Sequence, residues 1–386
     1  MQDAAGAVVA FEHVTKRYGN ADAPAVDDLT FTIPAGEICV LVGPSGSGKT
    51  TTMKMVNRLI EPTGGRITIG GEDVMSLPAV ELRRRIGYVI QQVGLFPHLT
   101  IGENVAVVPR LLGWRPQRIG ERVEELLDLV GLDPATFRDR YPSELSGGER
   151  QRVGVARALA ADPPVMLMDE PVGAVDPIRR DRLQNEFLRL QEKVRKTIVF
   201  VTHDVDEAIK MADRIAILQS GGVLAQYDTP EAILANPASD FVERFVGADR
   251  GLKRLSLARV RDLALIEPVT VRAGEPVADA RRRLDSAGDL RYALLVDERD
   301  RPLGWIDRRD LEGDGDVDPA HAVPGPQPVQ PETTLRDALS VMLASSVQLG
   351  VVVDGRDRVL GLISVDEISE ALREPPPARA REAAAR

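Results

Sequence analysis

A single cysteine, Cys39, stands in the whole chain, which excludes a disulfide framework. It falls inside the apolar run Ile38-Cys39-Val40-Leu41-Val42 and reads as a small buried hydrophobe in a reducing compartment. Long apolar runs are missing as well: none approaches the ~20 residues that cross a bilayer. The start, Met1-Gln2-Asp3-Ala4-Ala5-Gly6, has no basic segment followed by an apolar one, so no signal peptide is expected. A membrane process would then be served from the cytoplasmic face, through separate membrane subunits. Positive charge is in deficit, with Lys+Arg 49 against Asp+Glu 59 and a net charge of −10, and nucleic acid is not expected as a partner.

What is present is an ordinary soluble composition, 43% hydrophobic and 28% charged with a mean hydropathy of −0.13. The 386 residues suffice for two or three domains. From about Val8 to Val246, short apolar runs alternate with amphipathic helical patterns, as in an α/β domain. Ile38 to Val42 leads into a glycine-rich loop. Val165 to Met168 ends in acids, and Ile198 to Val201 ends in Thr202-His203. Each run reads as a buried parallel strand with polar residues at its C-terminal end, where open α/β sheets bind ligands. Val123, Leu126, Leu127 and Val130 share one face of a helix, in what reads as an inserted helical subdomain.

Chemistry concentrates in two of these strand ends. Gly43-Pro44-Ser45-Gly46-Ser47-Gly48-Lys49-Thr50, followed by Thr51, fits the phosphate-loop pattern G-x-x-x-x-G-K-[ST]. Its glycines let backbone N–H groups wrap phosphate oxygens, Lys49 reaches the β- and γ-phosphates, and the Thr50 hydroxyl is placed to ligate Mg²⁺. Met168-Asp169-Glu170-Pro171 supplies the acids, Asp169 to hold Mg²⁺ and Glu170 to polarise the attacking water as general base. Adjacent acids at a strand end can also merely cap a helix; the glycine loop favours the catalytic reading.

With Leu145-Ser146-Gly147-Gly148-Glu149-Arg150-Gln151 added, residues 8 to about 246 resemble the ATPase subunit of a bacterial ATP-binding-cassette (ABC) transporter, and the motifs follow in family order. The resemblance implies ATP as substrate and Tyr18 as the aromatic that stacks on adenine. It implies Gln91 as the glutamine linking the Mg²⁺ site to the helical subdomain, and Ser146, Gly147 and Gly148 as the signature that caps the partner's γ-phosphate. Asp176 matches the loop that communicates across the dimer, and His203 the histidine that contacts the γ-phosphate. Gln92 and His98 match nothing and read as ordinary loop residues, and Val175 stands where the family more often has leucine. One signature per chain implies a head-to-tail dimer with a second copy of itself. The family's integral membrane permease subunits dock on the helical subdomain, and an extracytoplasmic substrate-binding protein takes part indirectly.

After about Asp249 an internal repeat begins. Val277-Ala278-Asp279-Ala280 returns as Leu335-Arg336-Asp337-Ala338, and Leu294-Leu295-Val296-Asp297 as Val351-Val352-Val353-Asp354, at an offset of 57 to 58 residues. Each half reads as extended segment, helix, strand, turn, strand, helix. About 50 residues make a poor core alone, so the copies are expected to pack as one α+β unit. The repeat resembles a tandem of CBS domains, a regulatory pair that often binds adenine nucleotides through a G-h-h-[ST]-x-x-D segment. Gly304 to Asp310 departs from it by placing Asp307 at the hydroxyl position, and Gly361 to Glu367 keeps Ser364 but ends in Glu367. An acid at the first position repels phosphate. An adenine nucleotide in this module and a dimerisation module without ligand both stay open.

The expected organisation is a P-loop ABC cassette with a mixed sheet and helical subdomain over 1–246, a linker over 247–265, CBS domains over 266–315 and 325–372, and a disordered tail over 373–386. Cassettes followed by a CBS pair resemble the importers of glycine betaine, carnitine, choline and proline, so the resemblance implies an ATP-driven osmoprotectant importer governed by its CBS pair. An importer for another small solute is the alternative. A soluble ABC ATPase usually carries two cassettes in one chain or a long coiled-coil insertion, and this sequence has neither.

Overall fold

The computed structural model describes every residue except 1–5, 20–22, 91–93, 172–176, 289, 314, 326, 346 and 374–386, together with the side chains of 177–179 and 373. The chain divides into two units, Met1–Gly247 and Ala248–Arg386.

In the first unit, Ile38–Val42 and Thr197–Val201 are buried along their whole length, which is why both read as unbroken apolar runs. They lie at the centre of a six-stranded sheet ordered Val223–Asp228, Arg214–Gln219, Ile38–Val42, Thr197–Val201, Val165–Asp169, Ile86–Val89. All neighbours are parallel except the first pair, so the sheet is mixed. Parallel pairing puts the C-terminal ends of Ile38–Val42, Val165–Asp169 and Thr197–Val201 side by side, with Asp169 in register with Val201.

A second sheet is antiparallel, in the order Val26–Ile33, Val9–Lys16, Gly64–Ile69, Glu72–Asp73. Its strands alternate, with Val26, Leu29, Phe31 and Ile33 buried. These residues share one core with Cys39, Leu41, Leu167 and Val199 of the six-stranded sheet and with Met53, Met55 and Val56 of the helix Lys49–Val56. Phe11 and Phe31 stack there with centroids 4.5 Å apart. Cys39 is fully buried, and burial pushes its thiol pKa up, so it packs as a hydrophobe.

The helical subdomain consists of Ile101–Leu111, Pro116–Leu129, Pro134–Phe137 and Gly147–Leu159. Val123, Leu126, Leu127 and Val130 are buried together, as their spacing predicts.

In the second unit the two repeats do share a core. Leu294, Val296 and Trp305 of the first pack with Val347, Val351, Val353 and Leu362 of the second. The strands Tyr292–Val296 and Pro302–Asp307 pair antiparallel, as do Leu349–Val353 and Val359–Ser364. Two expectations need correction. The stretch read as a linker over 247–265 contains a helix, Arg250–Leu255, and its Leu255 and Val260 are buried with Leu335, Met342, Val352 and Ile363. The second repeat is too small to close its own core and borrows this segment. The first repeat also ends in a short 3₁₀ turn, Arg308–Leu311, whereas the second ends in the helix Val365–Arg373. Gly313 and Gly315 follow that turn with φ of 102° and 143°, a backbone that cannot continue a helix. The tail from 374 onward lies outside the described residues.

Candidate active site

The phosphate loop joins the end of Ile38–Val42 to the helix Lys49–Val56. Two of its glycines are dictated by space and conformation. Gly43 has φ 154° and a Cβ there would stand 2.0 Å from the Leu218 carbonyl oxygen; Gly48 has φ 85° and a Cβ would stand 2.4 Å from the Ala25 carbonyl oxygen. Gly46, by contrast, is exposed and its Cα faces open space, with Ser45 exposed beside it. Pro44 accepts from the Ser47 N–H at 3.2 Å, and Gly48 accepts from Thr52 N–H at 2.8 Å, which closes the first turn of the helix.

Lys49 is 8% exposed and holds only neutral acceptors: the Gly43 and Pro44 carbonyls at 2.9 Å each and Ser47 Oγ at 3.5 Å. Burial lowers its pKa, and the charge of Glu170 acts in the opposite sense. Among the described residues no carboxylate pairs with it. A buried ammonium tied only to neutral oxygens is a place for an anion.

On the adjacent strand end, Thr50 Oγ1 donates to Asp169 Oδ1 at 3.3 Å. Burial raises the Asp169 pKa, while Lys54 and the Thr50 hydrogen bond lower it. Lys54 was not singled out from the sequence. Its spacing of one helical turn from Thr50 puts both on one face and was the available signal.

Glu170 has φ 43°, a conformation uncommon for a residue with a side chain, at the point where strand Val165–Asp169 stops. Its N–H donates to the Val201 carbonyl at 3.0 Å. Its Oε1 lies 2.9 Å from Nδ1 of His203, an exposed residue just past the end of Thr197–Val201.

Lys49, Thr50, Asp169, Glu170 and His203 thus form one cluster. Thr51 is half-buried on the same helix. Among the described residues, no hydrogen bond, ion pair or ring contact joins Tyr18 or the signature to that cluster. Tyr18 is exposed, and its ring contact is with Lys16 Nζ, 5.1 Å from the centroid. Ser146 is the N-cap of Gly147–Leu159 in a capping box: its Oγ accepts from Glu149 N–H at 3.4 Å and its own N–H donates to Glu149 Oε2 at 2.7 Å. Those bonds hold the Glu149 carboxyl below the usual carboxylate range. Gly147 is exposed and a Cβ there would meet nothing within 4 Å. Gln91, Gln92, Val175 and Asp176 lie outside the described residues. His98 is an exposed loop residue against the edge of Phe96.

In the CBS pair, acids engage both positions where the family motif places a phosphate-binding hydroxyl. Asp307 accepts from Arg309 N–H at 3.1 Å and from Arg291 at 3.2 Å, and these bonds hold its carboxyl below the ordinary range. The Ser364 hydroxyl donates to Glu367 Oε2, which also accepts from Ser364 N–H at 2.8 Å.

A phosphate loop, an acid pair and a histidine at three neighbouring parallel strand ends define an ATP-hydrolysing cassette of the P-loop class. Residues 26–173 match the ABC transporter family model, and residues 260–312 and 320–374 match the CBS domain model. The chain is similar to the osmoprotectant import ATP-binding protein OsmV of Salmonella typhimurium, 46% identical over 95% of this chain and 96% of the relative. The chain belongs to the ABC transporter family, as an ATP-binding ATPase subunit carrying a tandem CBS pair.

It is also similar to the glycine betaine/carnitine/choline transport ATP-binding protein OpuCA of Bacillus subtilis, 47% identical over 92% of this chain and 93% of the relative. Among solved structures it resembles the dimeric post-hydrolysis state of the ATP-binding cassette MJ0796 bound to ADP and Pi. That likeness has 34% identity and a TM-score of 0.51, and it covers 57% of this chain and 98% of the other. No helix of the described residues is long and apolar enough to cross a membrane.

Proposed function

We propose that this chain is the energy-coupling subunit of an importer for osmoprotectants of the glycine betaine, carnitine, choline and proline class. The observation that carries this reading is the full-length match to OsmV and OpuCA, across cassette and CBS pair together. Function follows from the site, not the fold alone. We read Lys49 and the loop from Gly43 to Thr51 as the cradle of the ATP phosphates, Tyr18 as the adenine platform, and Glu170 as general base with His203 as its partner.

The Thr50 hydroxyl and the Asp169 carboxylate offer two hard oxygens side by side, a donor set that fits Mg²⁺, with Gln91 as the third residue of that site. When bound, the ion neutralises charge on the β- and γ-phosphate oxygens. Ser146, Gly147 and Gly148 stand at a helix N-terminus, with Ser146 and Gly147 exposed, and we read them as the surface offered to a second copy, and Asp176 as the residue that communicates across that dimer. Two copies arranged head to tail would complete two sites at the cytoplasmic face, under permease subunits fed by an extracytoplasmic binding protein. The CBS pair governs this cycle. The acids at Asp307 and Glu367 favour control without an adenine nucleotide at those two loops.

The test is uptake by vesicles containing this chain together with its permease and binding subunits. ATP-dependent accumulation of labelled glycine betaine, carnitine, choline or proline is expected. Transport of some other solute, with all four left outside, would overturn the substrate assignment.

A further inference from the structure

Between the signature helix Gly147–Leu159 and the helix Pro177–Val194 lies a cavity of about 380 Å³. Its walls are apolar, with Val155, Met168, Leu190, Phe200 and Met211 among them, and its size falls within the ~300–1,000 Å³ of small-molecule sites. One wall residue does not fit an apolar void. Gln151, the last residue of the signature run, is 7% exposed, and its Nε2 has no hydrogen-bond partner. A buried amide donor left unmade is costly, and native structures supply an acceptor for nearly all of them.

The rim adds a charge. Arg152, Arg182, Arg189 and Lys193 line the cavity against one acid, Glu186. Glu186 is shared by Arg152 at 3.5 Å and Arg182 at 2.9 Å. Among the described residues Arg189 and Lys193 have no ion-pair partner. An apolar chamber, a buried free donor and surplus cationic charge at the mouth select a ligand with an apolar body and an anionic acceptor head.

We propose that this cavity binds a small amphipathic carboxylate of the medium-chain fatty-acid type. Its head accepts from Gln151 Nε2 under the pull of Arg189 and Lys193, and its chain lies among Met168, Phe200 and Met211. Met168 precedes Asp169 and Pro171, also in the lining, follows Glu170, so the occupant flanks the acid pair and modulates hydrolysis.

The experiment is calorimetric titration of the full chain, without nucleotide, with decanoate below its micellar concentration and with decyltrimethylammonium as charge control. Saturable binding of one decanoate per chain is expected. Gln151→Leu, and separately Arg189→Glu with Lys193→Glu, should each weaken it roughly tenfold. The charge-reversal pair lies on exposed positions, so its folding is not at stake, and thermal unfolding checks Gln151→Leu. The proposal is overturned by absent saturation, by equal affinity for the cationic amphiphile, or by variants that bind as the parent does.

Discussion

His203 Nδ1 and Glu170 Oε1 stand 2.9 Å apart, each residue just past the end of one of two parallel strands that pair in register through Asp169 and Val201. The contact gives the exposed imidazole one fixed partner. It also holds the Glu170 carboxylate at the mouth of the phosphate loop, where its charge acts on Lys49.

Glu170→Gln keeps a hydrogen-bonding group beside His203 and removes the base. ATP hydrolysis should fall by about 10²–10⁴-fold, with nucleotide binding retained. Size-exclusion chromatography with ATP should then show an accumulated dimer. A variant that stays monomeric with ATP and hydrolyses at the parental rate would refute the general-base assignment.

Composite sites predict complementation. Lys49→Ala disables a chain's own phosphate loop, and Ser146→Glu sets a charge where the partner's phosphate would lie. Each variant alone should be inactive. A mixture should regain activity, because one site of every mixed dimer carries neither defect. Ser146→Ala, which removes the capping acceptor, should cost about 1 kcal/mol of stability in thermal unfolding.

The turns of the CBS pair carry a pH dependence. Asp354 accepts from Arg356 N–H at 2.8 Å and from Arg358 N–H at 2.9 Å and Nε at 2.8 Å, which lowers its pKa to about 2. A depressed carboxylate stabilises the fold above its unfolded pKa, and the contribution is lost as pH falls toward about 2. Asp354→Asn should therefore unfold more readily than the parent near neutral pH, and the difference should shrink steadily as the solution is acidified. Trp305, buried between the two repeats, gives a fluorescence readout of this unit.

Ending the chain at Gly247 should leave ATP hydrolysis in place, since the first unit has its own core. Osmotic control of uptake in reconstituted vesicles should be lost. Unaltered control by the shortened chain would remove the regulatory role from the CBS pair.

Much of the site is legible along the chain because its parts are local. The loop from Gly43 to Thr50 needs particular residues at fixed spacing, and Asp169 with Glu170 sits at a strand end that four buried apolar residues announce. The Ser146–Glu149 reciprocity is a capping box, also a local pattern, and it explains the serine and the glutamate of the signature in this chain before any partner arrives. Lys54 was missed because its role depends on a carboxylate far along the chain.

The sequence by itself determined the chemistry available and the repeat, since both are written in short-range spacing. Tertiary structure decided which groups meet. Thr50 finds Asp169 across 119 positions, and Glu170 finds His203 across 33, only because parallel pairing sets those strand ends side by side. It also moved residues 250–260 from an expected linker into the core of the second repeat, and it left Gln151 facing a cavity. Burial and satisfaction of polar groups depend on neighbours brought from afar, and no local pattern along a chain records them.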